Sequence, residues 1–432
     1  MIIFVWGINA ETKNVLETRE VSSMRKVLVT GRGLLTPLGN GLPINEEALR
    51  AGRSGTTFVQ DWKDRGMDCQ VGGFADQNPA CELLDKKRLR FAPANARMSI
   101  VAVQQALKEA AIPLEDVRSH RIAVISGVAG SNYQETYEAA LAYDKTRRLR
   151  NVNPCIVPRV MPSSAVANLS LIFGFSGESY DISSACASSA HAILAGMRLI
   201  QFGLYDMVVC GGAEELSWAQ ALGFIAIRAL SKDYNETPEK ASRPFDSARD
   251  GFVIACGAGF LVLESEASVK RRGVRAICEL SGSAANSNGT DMVVPDAPSN
   301  AAVMREAVAA AGLKIEDIQY VNTHGTGTPI GDPVEMDAIN QVFGSKVAVN
   351  STKSMTGHMI GAAGAVEAIF CTQMIEKGFI CPSINLDNPE PQFGWADFVR
   401  ELREGVDLRH VLSNSFAFGG TNVSLVISRC RD

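Results

Sequence analysis

The amino-acid sequence predicts an α/β protein whose strands are buried between helices. Short apolar, β-branched runs recur along the 432-residue chain and are typical of buried strands. Segments with helical periodicity lie between them, and glycine or proline marks their ends. Strands that alternate with helices favour helical layers around a buried, largely parallel sheet. The runs that predict strands are 24–31, 121–125, 206–210, 259–264, 318–322 and 422–427.

Three further helices and their ends follow from periodicity and from end signals. Glycine is favoured just after a helix, and proline is favoured at its first residue. Asp332 precedes Pro333, so Asp332 is predicted to be an N-cap. The predicted helices are 98–111, stopped by Pro113, 299–311, closed by Gly312, and 332–344, closed by Gly344.

Composition and charge exclude several classes of protein. Hydrophobic residues make up 46% of the chain and charged residues 21%, which excludes global disorder. The net charge of -5 argues against nonspecific binding of nucleic acid, which needs a basic surface. No apolar run is long enough to span a bilayer.

The organisation of the chain changes near Met24. Residues 1–23 are predicted to be an N-terminal extension that does not necessarily belong to the domain, because the first strand signal begins at Met24. The extension lacks a basic start and a small-residue cleavage site, so a signal peptide is not expected. The domain itself is divided into two predicted halves, 24–270 and 271–432.

The ten cysteines bear on the compartment. None of them forms a CxxC pair, which removes the usual zinc-binding and thioredoxin-like spacings. Most lie in apolar runs, and buried free thiols are common in reducing compartments. The sequence therefore predicts a cytoplasmic protein with no metal site.

Cys186 is the candidate nucleophile. A strand ends at YDISSACASSAH, and small residues then lead into a helix that runs to about Phe202. A thiol at a helix N-terminus is predicted to have a lowered pKa. The alternative is one more buried cysteine.

Two glycine-rich loops carry candidate histidines. In NTHGTGTPIGD, a polar loop after a strand exposes His324, and Thr326 and Thr328 alternate on one side. In STKSMTGHMIGAAGA, Lys353 and His358 precede a small-residue helix. A lone histidine is more often structural, but only five occur in this chain.

The segment LSNSFAFGGTN is predicted to be a strand, a tight turn and another strand. Its turn can offer a backbone N–H to an oxyanion, with Phe418 as a wall or gate. The alternative is a plain hairpin.

Taken together, these four motifs resemble the β-ketoacyl-acyl-carrier-protein synthases of the elongating type (KAS I/II), and so do residues 211–255. The resemblance covers about residues 25–428. It implies the thiolase-like fold, a five-layered α-β-α-β-α core of two similar halves, and a homodimer. It also implies decarboxylative Claisen condensation of malonyl-ACP with an acyl group, which elongates fatty acyl chains by two carbons.

The resemblance implies roles for the catalytic residues. Cys186 would carry the acyl group, and His324 and His358 would promote decarboxylation. Lys353 would fix the charges and the geometry around the two histidines without reacting itself. The acidic partners implied for Lys353 are Asp332, Glu335 and Glu367.

It also implies how substrates bind. Thr326 and Thr328 would hold the phosphopantetheine arm, Phe418 would gate the site, and Val128 would limit the depth of the acyl tunnel. The backbone N–H groups of Phe418 and Cys186 would form an oxyanion hole. No separate cofactor is expected, because the substrates are carried on the phosphopantetheine of the carrier protein.

An acidic acyl carrier protein needs a basic docking surface. Lys86, Lys87 and Arg90 in DKKRLRF match the docking segment of the family, and KTRRLR at 145–150 is a second candidate. A plain solvated surface is the alternative for each.

Several hypotheses stay open at this point. Residues 211–255 favour the type I subclass, whereas STKSMTGH and NLDNP favour type II. Gly327 and Ala417 depart from the residues usual in the family. A pathway-specific ketosynthase of polyketide, aryl polyene or specialised lipid synthesis is the alternative to a primary fatty-acid synthase. A non-catalytic partner subunit is the remote alternative, since that class typically lacks the active cysteine.

Overall fold

The computed structural model describes residues 24–130 and 132–430. The predicted extension 1–23 lies outside the described residues. No helix in the described part of the chain is long and apolar enough to cross a membrane.

The first half of the chain forms strands β1–β8 and helices α1–α10. Its strands are β1 Val27–Thr36, β2 Gly39–Asn40, β3 Thr56–Phe58, β4 Val71–Gly73, β5 Ala123–Gly127, β6 Ser179–Ile182, β7 Met207–Glu214 and β8 Gly257–Ser265. Its helices are α1 Leu42–Ala51, α2 Gln60–Asp64, α3 Lys86–Leu89, α4 Ala94–Glu109, α5 Tyr133–Thr146, α6 Ile156–Val160, α7 Ser164–Phe173, α8 Ser188–Gln201, α9 Trp218–Ala226 and α10 Glu266–Arg272.

The second half forms strands β9–β16 and helices α11–α14. Its strands are β9 Cys278–Ser287, β10 Tyr320–Asn322, β11 Ala348–Asn350, β12 Phe379–Ile380, β13 Asp397–Phe398, β14 Arg403–Glu404, β15 His410–Phe416 and β16 Thr421–Arg429. Its helices are α11 Ala297–Ala310, α12 Gly331–Phe343, α13 Lys353–Thr356 and α14 Ala363–Lys377.

The two halves repeat one sheet topology. The first sheet has the order β1-β8-β7-β5-β6, and the second has the corresponding order β9-β16-β15-β10-β11, with β13 added at its edge. In both, the first three strands are antiparallel neighbours and the last pairs are parallel. The sheets meet where Leu28 and Val29 of β1 pair with Glu279 and Cys278 of β9. Each sheet is therefore mixed, and the prediction of a largely parallel sheet was wrong.

Five layers result from how the helices cover these sheets. Helices α8 and α14 pack together between the two sheets, while α4 and α11 cover their outer faces. Alternation along β7 shows the layering, because Val208 and Cys210 join the central core and Val209 joins the outer one. The α-β-α-β-α core of two similar halves is confirmed.

Most predicted elements are present, with shifted ends. Gly312 follows α11 with φ 68°, as expected of a residue that closes a helix. Helix α12 begins at Gly331, so Asp332 is not its N-cap. The Asp332 carboxylate instead accepts hydrogen bonds from the N–H of Phe245 at 2.8 Å and of Gly327 at 3.0 Å.

Candidate active site

Cys186 lies in a tight turn between β6 and α8. Ser188 secures the turn, since its Oγ accepts from the Ser184 N–H at 2.9 Å and donates to the Ala185 carbonyl at 2.6 Å. Ala185 adopts φ 47°, a left-handed conformation that side chains rarely take. The turn places the thiol on the floor of a cavity, where Cys186 is 9% exposed.

The prediction that the pKa of the Cys186 thiol is lowered was wrong. Helix α8 begins at Ser188, two residues after Cys186. Burial raises the pKa of the Cys186 thiol to about 12 and outweighs the opposing charge of Lys353. The thiol is therefore protonated at neutral pH, and a base has to accept its proton when the sulfur attacks a substrate.

Two loops bring the histidines to the same place. His324 follows β10, and the Glu335 carboxylate holds its loop by accepting from the N–H of His324 at 2.8 Å and of Gly325 at 2.7 Å. His358 lies between α13 and α14, where its backbone N–H donates to the Val253 carbonyl at 2.7 Å. The position of each imidazole therefore depends on a hydrogen bond to a residue that is distant in sequence, Glu335 for His324 and Val253 for His358.

The thiol and the two imidazoles form one cluster. The Sγ of Cys186 and a ring nitrogen of each histidine lie within 4.8 Å of one another. The two imidazole centroids are 5.2 Å apart and nearly perpendicular. Burial, followed by the charge of Lys353, lowers the pKa of His324 and of His358 well below the usual range. Both rings are therefore neutral at physiological pH, and each has one N–H to donate and one nitrogen that can accept.

A buried ion pair lies beside this cluster. Lys353 and Glu367 are each 1% exposed and form a salt bridge. Burial raises the pKa of Glu367, and Lys353 opposes that shift. Of the three acidic partners predicted for Lys353, Glu367 is the one that forms a direct ion pair within the described residues. Glu335 instead binds the His324 loop, and Asp332 lies 3.7 Å from Arg249.

One thiol and two imidazoles are also a donor set that can bind zinc. When a histidine binds zinc through one ring nitrogen, the N–H of its other ring nitrogen usually donates a hydrogen bond to an oxygen acceptor. Within the described part of the chain, three ring nitrogens lack a hydrogen-bond partner: the Nδ1 of His324 and both ring nitrogens of His358. Because no acceptor orients these rings as it would in a zinc site, the arrangement favours imidazoles that hydrogen-bond a substrate over imidazoles that bind a metal ion.

A mainly apolar cavity of about 300 Å³ leads to the cluster. Thr326 and Thr328 line it, and their hydroxyl oxygens are 3.2 Å apart. Its aromatic lining residues are Phe224, Phe252, Phe416 and Phe418. A thioester on a narrow arm fits such a passage, because it has an apolar lining and a few hydroxyl donors.

A second cavity, of about 340 Å³, also reaches Cys186. Phe418 lines both cavities and so lies where a gate between them would be. Val128 does not line either cavity, and the second cavity is lined by the following residues, Ala129 and Gly130. Val128 is buried, and its N–H donates to the Ile182 carbonyl at 3.0 Å.

The turn at Phe418 leaves a donor available. Gly419 and Gly420 have φ of 78° and 69°, and the Gly419 N–H donates to the Met292 carbonyl at 2.7 Å. Among the described residues, the N–H groups of Phe418 and Cys186 donate to no other residue. Both are therefore free to bind an oxyanion.

Glu214 was missed by sequence reasoning. At the end of β7 its buried carboxylate accepts from the N–H of Ala129 at 2.9 Å, of Gly130 at 3.2 Å and of Gly361 at 3.2 Å. Burial raises its pKa to about 8. It links the floor of the second cavity to the loop after His358. The available signal was an acidic pair, Glu214 and Glu215, directly after an apolar strand.

The predicted docking residues lie on the surface. Lys86 and Lys87 belong to α3, which Asp85 caps through hydrogen bonds from the N–H of Lys87 and Arg88, and Arg90 follows the helix. These side chains are exposed, and so are those of the second basic segment, 145–150.

Comparison with known proteins decides the family. The Beta-ketoacyl synthase N-terminal domain matches residues 24–268, and the Beta-ketoacyl synthase C-terminal domain matches residues 277–387. The chain belongs to the β-ketoacyl synthase family. It is 40% identical to the 3-oxoacyl-[acyl-carrier-protein] synthase 1 of Escherichia coli over 95% of this chain and 100% of that protein. It is 37% identical to the synthase 2 of Vibrio cholerae over 94% of this chain and all of that protein.

A solved structure agrees with this assignment. A β-ketoacyl synthase from Burkholderia phymatum superimposes with a TM-score of 0.90 at 33% identity, covering 94% of this chain and 100% of that one. The predicted membership of this family is confirmed, whereas the predicted division at residue 270 and the roles of the individual site residues stay predictions.

The buried ion pair allows a test of stability. Glu367→Gln should lower the free energy of unfolding by about 3–5 kcal/mol, because it leaves the Lys353 charge buried without a partner. Denaturant unfolding measures the change. Lys353→Met combined with Glu367→Gln should recover part of the loss, since no charge is then buried.

Glu266 provides a matched control, since it pairs with Lys270 at 3.2 Å on the surface. Glu266→Gln should change stability by less than about 1 kcal/mol. Equal losses in the buried and exposed pairs would contradict the importance assigned to the Lys353–Glu367 pair.

Proposed function

We propose that this protein is an elongating β-ketoacyl-ACP synthase that condenses malonyl-ACP with an acyl group held on Cys186, with loss of CO2. The observation that carries the proposal is the cluster of a buried thiol and two neutral imidazoles at the end of an apolar cavity. The relatives that are 40% identical are named 3-oxoacyl-[acyl-carrier-protein] synthase 1. That name favours fatty acyl elongation over a specialised pathway.

The first half of the reaction transfers the acyl group. The sulfur of Cys186 attacks the carbonyl carbon of an acyl thioester, and the carrier thiol leaves. The proton of Cys186 passes to a neighbouring neutral imidazole and then to the departing thiolate. Either His324 or His358 is close enough to accept that proton.

The second half forms the carbon–carbon bond. Loss of CO2 from a malonyl thioester leaves an enolate, whose oxygen accepts hydrogen bonds from the N–H groups of His324 and His358. The enolate carbon attacks the acyl carbonyl on Cys186. The resulting oxyanion is held by the N–H groups of Cys186 and Phe418. Its collapse releases the product and the Cys186 thiolate, which takes up a proton from water through a neighbouring imidazole and so returns to the thiol.

Lys353 acts on this step through charge. Its ammonium lowers the pKa of both histidines and so helps keep them neutral. Glu367 keeps that ammonium compensated. Thr326 and Thr328 hold the arm of the substrate, and the second cavity, with Val128 behind its wall, accepts the acyl chain.

Substitutions separate the two half-reactions. Cys186→Ala should abolish condensation, because no sulfur can hold the acyl group. His324→Ala or His358→Ala should leave acylation of Cys186 within about tenfold of wild type, since one imidazole remains, but should reduce decarboxylation by about 100-fold or more. Mass spectrometry of acyl-Cys186 and release of CO2 measure the two steps.

The matched control is Cys430→Ala, which removes a cysteine that lines neither cavity beside Cys186. It should retain wild-type rates. Retained elongation in Cys186→Ala would refute the proposed function, and loss of acylation in a single histidine variant would show that the imidazoles cannot replace each other.

The proposed partner is an acyl carrier protein. A polyketide ketosynthase that is 27% identical to this chain has been solved in complex with its acyl-carrier protein. The exposed Lys86, Lys87 and Arg90 support a similar contact here, because carrier proteins are acidic. The carrier holds the substrate, so no separate cofactor is proposed. All ten cysteines are free, which supports a reducing, cytoplasmic setting.

Charge reversal tests this docking surface. Lys87→Glu combined with Arg90→Glu should raise the KM for malonyl-ACP about tenfold or more and leave the KM for a small thioester unchanged. Lys314→Glu combined with Lys346→Glu reverses two exposed charges outside both basic segments and serves as the control. An equal rise with both substrates would contradict docking at this surface.

We also propose a homodimer. Strand β6 forms the edge of the first sheet, so one side of it lacks a neighbouring strand among the described residues. Next to it, Leu171 of α7 is 75% exposed and Tyr180 of β6 is 36% exposed. An uncovered strand edge with apolar neighbours favours pairing with a second copy.

Sedimentation velocity measures the oligomeric state. At micromolar concentration the protein should sediment as a dimer, and Leu171→Glu should shift it toward monomer, since a buried unpaired charge opposes association. A monomeric wild type would contradict the homodimer.

A further inference from the structure

One cation at the mouth of the active-site cavity has no part in the mechanism above. Arg228 lines the cavity that ends at Cys186, and its side chain is exposed. Nearby Arg249 is buried and paired, with Glu390 at 2.6 Å and Asp332 at 3.7 Å. Among the described residues, by contrast, no carboxylate pairs with the Arg228 guanidinium and no acceptor hydrogen-bonds it. Its charge is therefore available to a ligand.

The backbone at Arg228 is unfavourable for any side chain. Its φ is 56°, in the left-handed region that favours glycine. The turn follows α9 and is closed by a hydrogen bond from the Arg228 N–H to the Ile225 carbonyl at 2.9 Å. A glycine would form this turn with less strain, and strain of this kind concentrates at functional positions. The turn alone does not account for an arginine here.

Among the described residues that line the cavity, no other charged side chain is exposed at the mouth. Exposed Val293, Val294 and Ile330 form its apolar rim. Asp332 and Glu335 also line the cavity, but both carboxylates are buried and bound to backbone N–H groups. An anion that enters the cavity therefore meets Arg228 as an unpaired cation in an apolar setting.

We propose that Arg228 binds the phosphate of the phosphopantetheine arm. The inference rests on the proposed function, in which the thioester end of that arm reaches Cys186 and its middle passes Thr326 and Thr328. The charged end of the arm is then left at the mouth, where the exposed guanidinium lies. A planar guanidinium can donate two parallel hydrogen bonds to phosphate oxygens, so it suits this group better than an ammonium.

Two substrates that differ by a single group provide the test. Malonyl-phosphopantetheine and malonyl-pantetheine are compared as extender substrates with Cys186 already acylated. Wild type should prefer the phosphorylated substrate in kcat/KM by about tenfold. Arg228→Met should reduce that ratio to about one and leave the rate with malonyl-pantetheine unchanged, whereas Arg228→Lys should keep part of the preference.

Two further variants keep the result interpretable. Arg228→Gly removes the guanidinium while relieving the left-handed strain, so it should unfold at the same or a higher temperature and still lose the preference. Lys232→Met removes an exposed charge four residues away that does not line the cavity, and it should retain the wild-type ratio.

Three outcomes would overturn the assignment. A wild-type ratio near one, or a preference that survives Arg228→Gly, would show that Arg228 does not read the phosphate. A defect seen only with malonyl-ACP would show that it contacts an acidic side chain of the carrier instead. A wild type that condenses neither small substrate nor malonyl-ACP would refute the proposed function and this inference together.

Discussion

The contact between α8 and α14 is the constraint on which the active site depends. The helices meet at small residues, since a Cβ on Gly364 would lie 2.9 Å from the Cβ of Ala190. The Ala365 N–H also donates to the Ser189 hydroxyl at 2.9 Å. Cys186 lies just before one helix and His358 just before the other. A close approach of the two helix starts therefore fixes the distance between sulfur and imidazole before any substrate binds.

Burial then sets the chemistry of this cluster. Removal from water raises the pKa of the thiol and lowers that of both imidazoles, so all three groups are uncharged. Uncharged groups can lie close together in an apolar cavity without mutual repulsion. The nearby formal charges lie outside this cluster, where Lys353 and Glu367 form an ion pair and compensate each other. The site can thus stabilise a transient enolate with neutral donors, whose strength increases because water is excluded.

The sequence predicted the parts of this arrangement that follow from local pattern. Helix α4 and strand β5, which follows it, were recognisable from their apolar patterns. Cys186, His324 and His358 stood out because small residues surround them. The antiparallel pairing of β1 with β8 was missed, because more than 200 residues separate the two strands. Asp332 resembled an N-cap, yet its carboxylate binds Phe245, 87 positions away. Glu214 and Glu335 were missed as loop anchors for the same reason: their partners are brought near by the fold and not by the sequence. The predicted pKa of Cys186 was wrong because the start of a helix can be recognised from the local sequence, whereas the burial of a side chain depends on the whole fold.

Charge in this protein is distributed by depth. The reacting groups are neutral, and the Lys353–Glu367 ion pair lies next to them. Cations without a carboxylate partner among the described residues lie at the surface, and Lys86, Lys87 and Arg228 are among them. A net charge of -5 hides this pattern, because the excess of carboxylates is spread over the whole chain. An acidic carrier is attracted only where the basic residues are exposed and together. In the proposed function, the phosphate of the carrier arm meets Arg228, which no described residue neutralises. The thioester then enters a region whose reacting groups, Cys186, His324 and His358, are uncharged. The exposed cations therefore suit the acidic carrier and its phosphate, and the uncharged buried cluster suits the thioester at the other end of the same substrate.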